Sequence, residues 1–196
     1  MSERSLQRET AISQAALELI AQGASPAAMK VQDIAQAAGI GKGTVYEYFT
    51  SKEEILQGMA LYCFDSEIAH IRARFAACIS LSDLEDAVVG FIQDLADSRM
   101  ATYKVIAGSL GGSCLPGGAM ERFEALRSLV RETLTRLQAA GEVDPALPAD
   151  YCAGALLSAA VGGAMSFCYL AELGQKAPAL PDHLRTLIRR ALQPEK

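Results

Sequence analysis

The twenty residues from Val31 to Thr50 constrain the fold more than any other part of the 196-residue chain. Ala35 is small enough to let two helices cross closely. Gly39 tolerates the positive φ of a tight turn, and Val45 can dock a second helix against the first. A small core around them is completed by Ile34, Ile40 and Phe49. This spacing predicts two short helices, over 31–38 and 41–48, that form a helix-turn-helix.

The rest of the chain has the apolar spacing of helices and no strand-like alternation. Helices are predicted over residues 6–22, 51–78, 82–97, 99–108, 119–140, 149–173 and 182–192. Capping boxes are predicted at Ser51 with Glu54 and at Ser82 with Glu85, and the glycine-rich stretch 108–118 predicts a loop. The fold class is therefore all-α with about nine helices. We expect an N-terminal helix-turn-helix domain over 1–50 and a larger C-terminal domain over 51–196.

The chain is acidic overall, so a DNA-binding interpretation must rest on the positions of individual charged residues and not on the net charge. The chain has a net charge of −5, and residues 1–56 contain five Lys and Arg against seven Asp and Glu, a balance of −2. DNA-binding domains often carry a basic excess instead. The second predicted helix nevertheless opens with Gly41, Lys42, Gly43 and Thr44. Such small residues let a helix enter the major groove closely, where its N-terminal residues meet base edges.

The side chains of this segment suit DNA. Lys42 can donate to guanine or to phosphate, and Thr44 can bond a base or pack on a thymine methyl group. Tyr46 and Tyr48 carry hydroxyl groups suited to phosphate oxygens, although either ring could instead be packing.

Charged residues at the edges of the motif are candidates too. Lys30 and Lys52 lie at helix starts, where the helix dipole adds to the attraction for an anion. Arg4 and Arg8, nearer the N-terminus, are interpreted as a frayed, solvated end rather than as an arm that touches phosphate.

Residue patterns for catalysis, metals and cofactors are not found. The five cysteines, Cys63, Cys78, Cys114, Cys152 and Cys168, are odd in number and form no CxxC, so reduced thiols in a cytoplasmic protein are expected. The two histidines lack partners at metal-ligand spacing. The segment GIGKGT lacks the P-loop spacing and follows a helix. We therefore expect no enzyme, no metal and no cofactor.

The segment from Tyr151 to Ala171 contains no charged residue and is long enough to span a bilayer. Its flanks are acidic, with no Lys or Arg anchors close by. We interpret it as a helix buried on most sides in a soluble bundle, and keep a membrane-anchored protein as an alternative.

The N-terminal segment resembles the DNA-binding domain of the TetR family of bacterial regulators. The resemblance lies in Ile34-Ala35, in the run from Ala38 to Phe49 and in the run from Ser51 to Leu56, with a preceding helix that ends at Gly23. It implies an obligate homodimer, an operator with dyad symmetry and a ligand-binding C-terminal domain. The chain departs from the family at Met29 and Lys30, where Thr or Ser is usual.

The C-terminal domain would then dimerise and bind an effector. The predicted interface residues are Gly154, Ser158, Gly162, Leu184, Leu187 and Ile188. The predicted ligand pocket is lined by Phe91, Met100, Tyr103, Met120, Phe123, Met165 and Phe167, a set of aromatic and Met side chains that suits an apolar small molecule. Intramolecular core is the alternative for both sets.

The expected function is that of a ligand-responsive, DNA-binding transcription regulator. It would bind a palindromic operator as a cytoplasmic homodimer and most simply act as a repressor. The main alternative is a helical protein–protein interaction module that does not recognise a DNA sequence. A small-molecule enzyme built on a helical bundle is a third possibility, but the acid–base pair that it requires is not apparent in the sequence.

Overall fold

The computed structural model describes residues 3–110, 116–176 and 178–193. Within these ranges the chain forms nine α-helices and no strand. The helices are α1 (Glu3–Ala21), α2 (Val31–Ala37), α3 (Lys42–Tyr46), α4 (Lys52–Ala76), α5 (Leu81–Ser98), α6 (Met100–Leu110), α7 (Ala119–Ala139), α8 (Ala149–Glu172) and α9 (Leu180–Leu192). The all-α prediction is confirmed.

The chain divides into two compact units. The first unit comprises Met1–Ser66 and Met100–Met120, and the second comprises Glu67–Arg99 and Glu121–Lys196. The boundary falls inside α4, and the short helix α6 belongs to the first unit although it follows α5 in the chain. The predicted domain division after residue 50 stays a prediction.

The core of the first unit holds the helix-turn-helix in place. It buries apolar residues of α1, α2, α3, α4 and α6, including Ile12, Ile34, Val45, Ile55 and Val105. Because Val45 and Ile34 are fully buried, the two short helices are fixed by packing rather than by helix propensity, which is weak for segments of this length.

The core of the second unit lies among α5, α7, α8 and α9. Its fully buried side chains include Leu84, Ile92, Leu134, Leu156 and Ile188. On α8, Gly163 permits the close approach of α9, since a β-carbon there would lie 2.9 Å from Cδ2 of Leu184.

The helix starts follow local hydrogen bonding, with one correction to the prediction. The Ser51 hydroxyl accepts from the Glu54 N–H at 3.1 Å at the start of α4, as expected. The start of α5 is capped by Ser80 and Asp83, not by Ser82 and Glu85. Glu85 is instead buried and pairs with Arg189, because α5 begins at Leu81 and its third residue is Asp83 rather than Glu85.

Two other predictions concern residues that the structure describes only in part. Helix α6 continues to Leu110, so the predicted loop over 108–118 begins later than expected, and residues 111–115 lie outside the described part of the chain. Cys114 lies there too, whereas Cys63, Cys78, Cys152 and Cys168 are buried.

Helix α8 is less buried than the sequence suggested. Within the described residues it is the one helix whose length and apolar composition would allow it to cross a membrane, but only 28% of its most apolar stretch is buried. The expectation of burial on most sides was wrong: one side of α8 packs on the core, and the other carries large exposed apolar side chains.

Candidate nucleic-acid interface

The turn between α2 and α3 has the geometry that Gly39 was predicted to provide. Gly39 has a φ of 67°, in the left-handed region that side chains disfavour. The Ile40 N–H then donates to the Ala35 carbonyl at 3.0 Å, which closes the end of α2. Ala35 and Val45 are both fully buried, so α3 packs on α2 through its inner side only.

The outer side of α3 is small and open at its N-terminal end. Gly41 caps the helix in extended conformation, and a β-carbon on Gly43 would meet no atom within 4 Å. Lys42 is exposed and Thr44 is half-buried. A helix end of this kind can approach base edges closely.

Two side chains one helical turn apart project together from α3. The Nζ atom of Lys42 lies 5.8 Å from the centre of the Tyr46 ring, within the range of a cation–π contact. Tyr46 is 47% exposed, so its hydroxyl is accessible. Tyr48 is half-buried and packs against the core of the first unit. Its contact with phosphate stays a prediction.

The two flanking lysines occupy different surroundings. Lys30 is exposed, and its backbone N–H donates to Asp33 at 3.0 Å at the start of α2. The Lys52 ammonium donates to the Ala27 carbonyl at 2.6 Å. Since an ammonium has three N–H donors, this bond positions Lys52 and leaves two donors for another acceptor.

A groove beside α3 contains two residues that the sequence interpretation set aside. It has a volume of about 600 Å³ and is lined by Arg4, Arg8, Ile40, Gly41, Thr44, Glu47 and Tyr48. Arg4 and Arg8 lie within α1 rather than in a frayed end. Their spacing of four residues puts both on one side of a helix. This spacing was the sequence signal that could have identified them as a pair on one surface.

The predicted ligand-pocket residues fall in both units. In the first unit, Met100 and Tyr103 are half-buried and Met120 is 65% exposed; in the second, Phe91, Phe123 and Phe167 are half-buried and Met165 is 59% exposed. Phe91 and Phe167 pack against the core of the second unit. The pocket stays a prediction.

The predicted interface residues separate into two groups. Gly154, Ser158 and Gly162 are exposed on one side of α8, and Leu187 of α9 is 55% exposed. Leu184 and Ile188 differ from the expectation, because they are buried in the core of their own unit. A shallow pocket of about 190 Å³ lies where Ser158, Gly162 and Leu187 meet.

Comparisons with known proteins identify the N-terminal domain. Residues 12–59 match the sequence profile of the bacterial regulatory proteins of the tetR family. No curated protein sequence matches the chain significantly.

Solved structures share the fold over nearly the whole chain. The regulator FadR from Bacillus subtilis, in complex with stearoyl-CoA, is 20% identical, with a TM-score of 0.71 over 95% of this chain and 98% of that one. A TetR family regulator from Marinobacter aquaeolei is 16% identical, with a TM-score of 0.71 over 98% of both chains. Salmonella enterica GusR is 18% identical, with a TM-score of 0.70 over 98% of both chains. Residues 12–59 therefore match the DNA-binding domain of the tetR family of bacterial regulatory proteins, and the chain shares its fold with these solved regulators.

Proposed function

We propose that the protein is a cytoplasmic, ligand-responsive repressor that binds a palindromic operator as a homodimer. The observation that carries the proposal is the outer side of α3: Gly41 and Gly43 leave it open, Lys42 and Tyr46 project from it, and Val45 anchors its other side in the core. A packing device needs only the buried side of α3. An exposed side with basic and hydroxyl groups can contact phosphates and bases when the helix enters a DNA groove.

The DNA-binding step is derived from these residues. Lys42 would donate to guanine acceptors or phosphate and Thr44 would contact a base, while Tyr46 and Lys30 would bond phosphates beside the groove. Lys52 would contact phosphate with the donors that the Ala27 carbonyl leaves free. In a dimer, the two recognition helices would enter major grooves about 34–36 Å apart or a multiple of that distance.

An exposed apolar side of α8 supports the dimer. Four large side chains recur along it at helical spacing, Tyr151, Val161, Met165 and Tyr169, and Leu173 follows at the C-cap; each is at least half exposed. Apolar patches of this kind usually mark contact surfaces. Gly154 and Gly162 on the same side would meet no atom within 4 Å through a β-carbon, so a second α8 could approach closely. A two-fold axis would bring the same side of both copies together.

The ligand step rests on the C-terminal domain, which we place at 51–196. The half-buried aromatic rings of Phe91, Phe123 and Phe167 supply apolar surface in the second unit. The stearoyl-CoA complex belongs to the Bacillus subtilis protein, and it supports an apolar small-molecule effector for this chain. Effector binding would shift helices joined to α4 and change the spacing of the DNA-binding domains, with a coupling free energy of about 1–3 kcal/mol.

Selection from a random DNA duplex pool tests the proposal. The full-length protein is expected to enrich a palindrome, with an affinity that falls as salt rises. The Lys42→Ala/Thr44→Ala variant is the control, because both side chains lie outside the core and their loss should leave the fold intact. No enrichment at low salt by a folded, dimeric protein would contradict sequence-specific recognition and favour the interaction module.

A further inference from the structure

We infer that Arg4 and Arg8 form a second DNA-contacting site, which binds the phosphate backbone beside the DNA major groove that α3 enters. The inference rests on the proposed operator binding and assigns to it two residues of α1. Its observations are the groove that these residues share with α3, their side-chain exposure and the charge of the groove lining.

The groove places the two arginines next to the recognition helix. Arg4 and Arg8 line the same depression as Gly41, Thr44 and Tyr48, within the first unit. The Thr44 side chain is one of the proposed base contacts. A DNA strand whose bases face Thr44 would therefore bring its sugar-phosphate backbone close to the long arginine side chains that line the same depression.

The chemistry of the two side chains fits phosphate. Both are exposed and lie four residues apart on α1, so their guanidinium groups project from one side of the helix. A guanidinium presents a planar fork of N–H donors that matches two phosphate oxygens. The long arginine stem also reaches farther than the Tyr48 hydroxyl that shares the groove.

The charge of the groove lining favours an anion despite the acidic chain. Of its lining residues, Arg4 and Arg8 are positive and Glu47 is negative, a net charge of +1 in a protein of net charge −5. This local excess supplies the basic surface that the composition of residues 1–56 does not.

The experiment compares the salt dependence of operator binding. The full-length Arg4→Ala/Arg8→Ala variant is titrated against the duplex selected by the wild type, between about 0.05 and 0.2 M salt. Loss of two phosphate contacts is expected to weaken binding at least about tenfold. It should also make the slope of log K against log salt shallower by about 1.8 per bound protomer, since each phosphate contributes about 0.9.

Two further variants separate charge from structure. Arg4→Lys/Arg8→Lys keeps both charges and is expected to keep the wild-type slope. Arg72→Ala/Arg190→Ala removes two exposed arginines of the second unit, and it is expected to change the slope much less. The circular dichroism spectra of all variants should match that of the wild type, because every altered side chain is exposed.

The outcomes distinguish this inference from the proposed function. An unchanged affinity and slope in Arg4→Ala/Arg8→Ala, with binding lost in Lys42→Ala/Thr44→Ala, overturns the inference and leaves operator recognition standing. A changed selected sequence overturns the phosphate assignment, since phosphate contacts carry no sequence information. A wild-type protein that selects no duplex overturns both.

Discussion

The backbone of Gly58 lies directly against the ring of Phe49. A β-carbon at residue 58 would be 2.9 Å from Cε1 and 3.4 Å from Cζ of that ring. Phe49 follows α3 closely and is 6% exposed, and Gly58 lies in the second turn of α4. The close approach therefore fixes the position at which the segment after α3 packs on α4, within the first unit.

Replacing Gly58 with alanine is expected to destabilise the protein. The added methyl group overpacks the site by about 1–3 kcal/mol, while the better helix propensity of alanine returns about 1 kcal/mol. Overpacking should win, because the buried Phe49 ring has little room to move. Chemical denaturation should show a lower midpoint with an unchanged m-value.

Two variants make the Gly58 prediction specific. Gly108→Ala on α6 is the control, since its β-carbon would meet no atom within 4 Å, and it should be neutral or stabilising. Phe49→Leu should cost less in the Gly58→Ala background than in the wild type, because the smaller side chain relieves the overlap. Additive effects of the two changes would contradict the contact.

A charge placed on the exposed side of α8 is expected to abolish the proposed dimer. Val161→Arg and Met165→Glu each put an unpaired charge where an apolar interface would otherwise form, which costs several kcal/mol when the charge is buried. Size-exclusion chromatography with light scattering should report a halved mass. Ile79→Glu is the matched control: Ile79 is 77% exposed and lies outside α8, so its replacement should leave the mass unchanged.

The cap at the start of α5 predicts a pH dependence of stability. The backbone N–H groups of Ile79 and Ser80 donate to the Asp83 carboxylate at 2.9 Å, and this hydrogen bonding lowers the Asp83 pKa from its ordinary 3.8. Because the pKa is lower in the folded protein, the cap stabilises above the ordinary value, and that stability is lost as pH falls from 3.8 through the folded pKa.

The measurement for Asp83 is the difference in Tm between the wild type and Asp83→Asn from pH 7 to pH 2.5. A wild-type advantage at pH 7 should shrink below about pH 4, where Asp83 begins to protonate in the unfolded chain while the folded protein still holds it ionised. A constant difference for Asp83→Asn would argue against the cap.

The ion pair between Glu85 and Arg189 is expected to stabilise the fold mainly by neutralising the buried carboxylate of Glu85. Arg189 donates twice to Glu85, at 2.8 and 2.6 Å, and Glu85 is 1% exposed whereas the Arg189 side chain is 56% exposed. Arg189→Ala leaves a buried carboxylate without its partner and should lower Tm by several degrees. Glu85→Met/Arg189→Ala should recover part of the loss, since an apolar side chain fits the core. A double variant less stable than Arg189→Ala would contradict this account.

Local patterns in the chain were sufficient to predict the helices and the helix-turn-helix. Residue 39 has a φ of 67°, which glycine adopts readily. Ala35 and Val45 have the size and spacing for two helices in contact. These features depend on neighbours within about ten residues. They can therefore be predicted from the sequence without knowledge of the rest of the fold.

Tertiary structure decided which side of each helix is covered. Leu184, Leu187 and Ile188 form one apolar stripe in the sequence, yet the core of the second unit buries the first and last and leaves Leu187 exposed. In the sequence, Arg4 and Arg8 cannot be told from other solvated arginines; the packing of the first unit places them in the lining of the same groove as Thr44. Burial and proximity of this kind depend on contacts between residues far apart in the chain, and helical periodicity describes only one helix at a time.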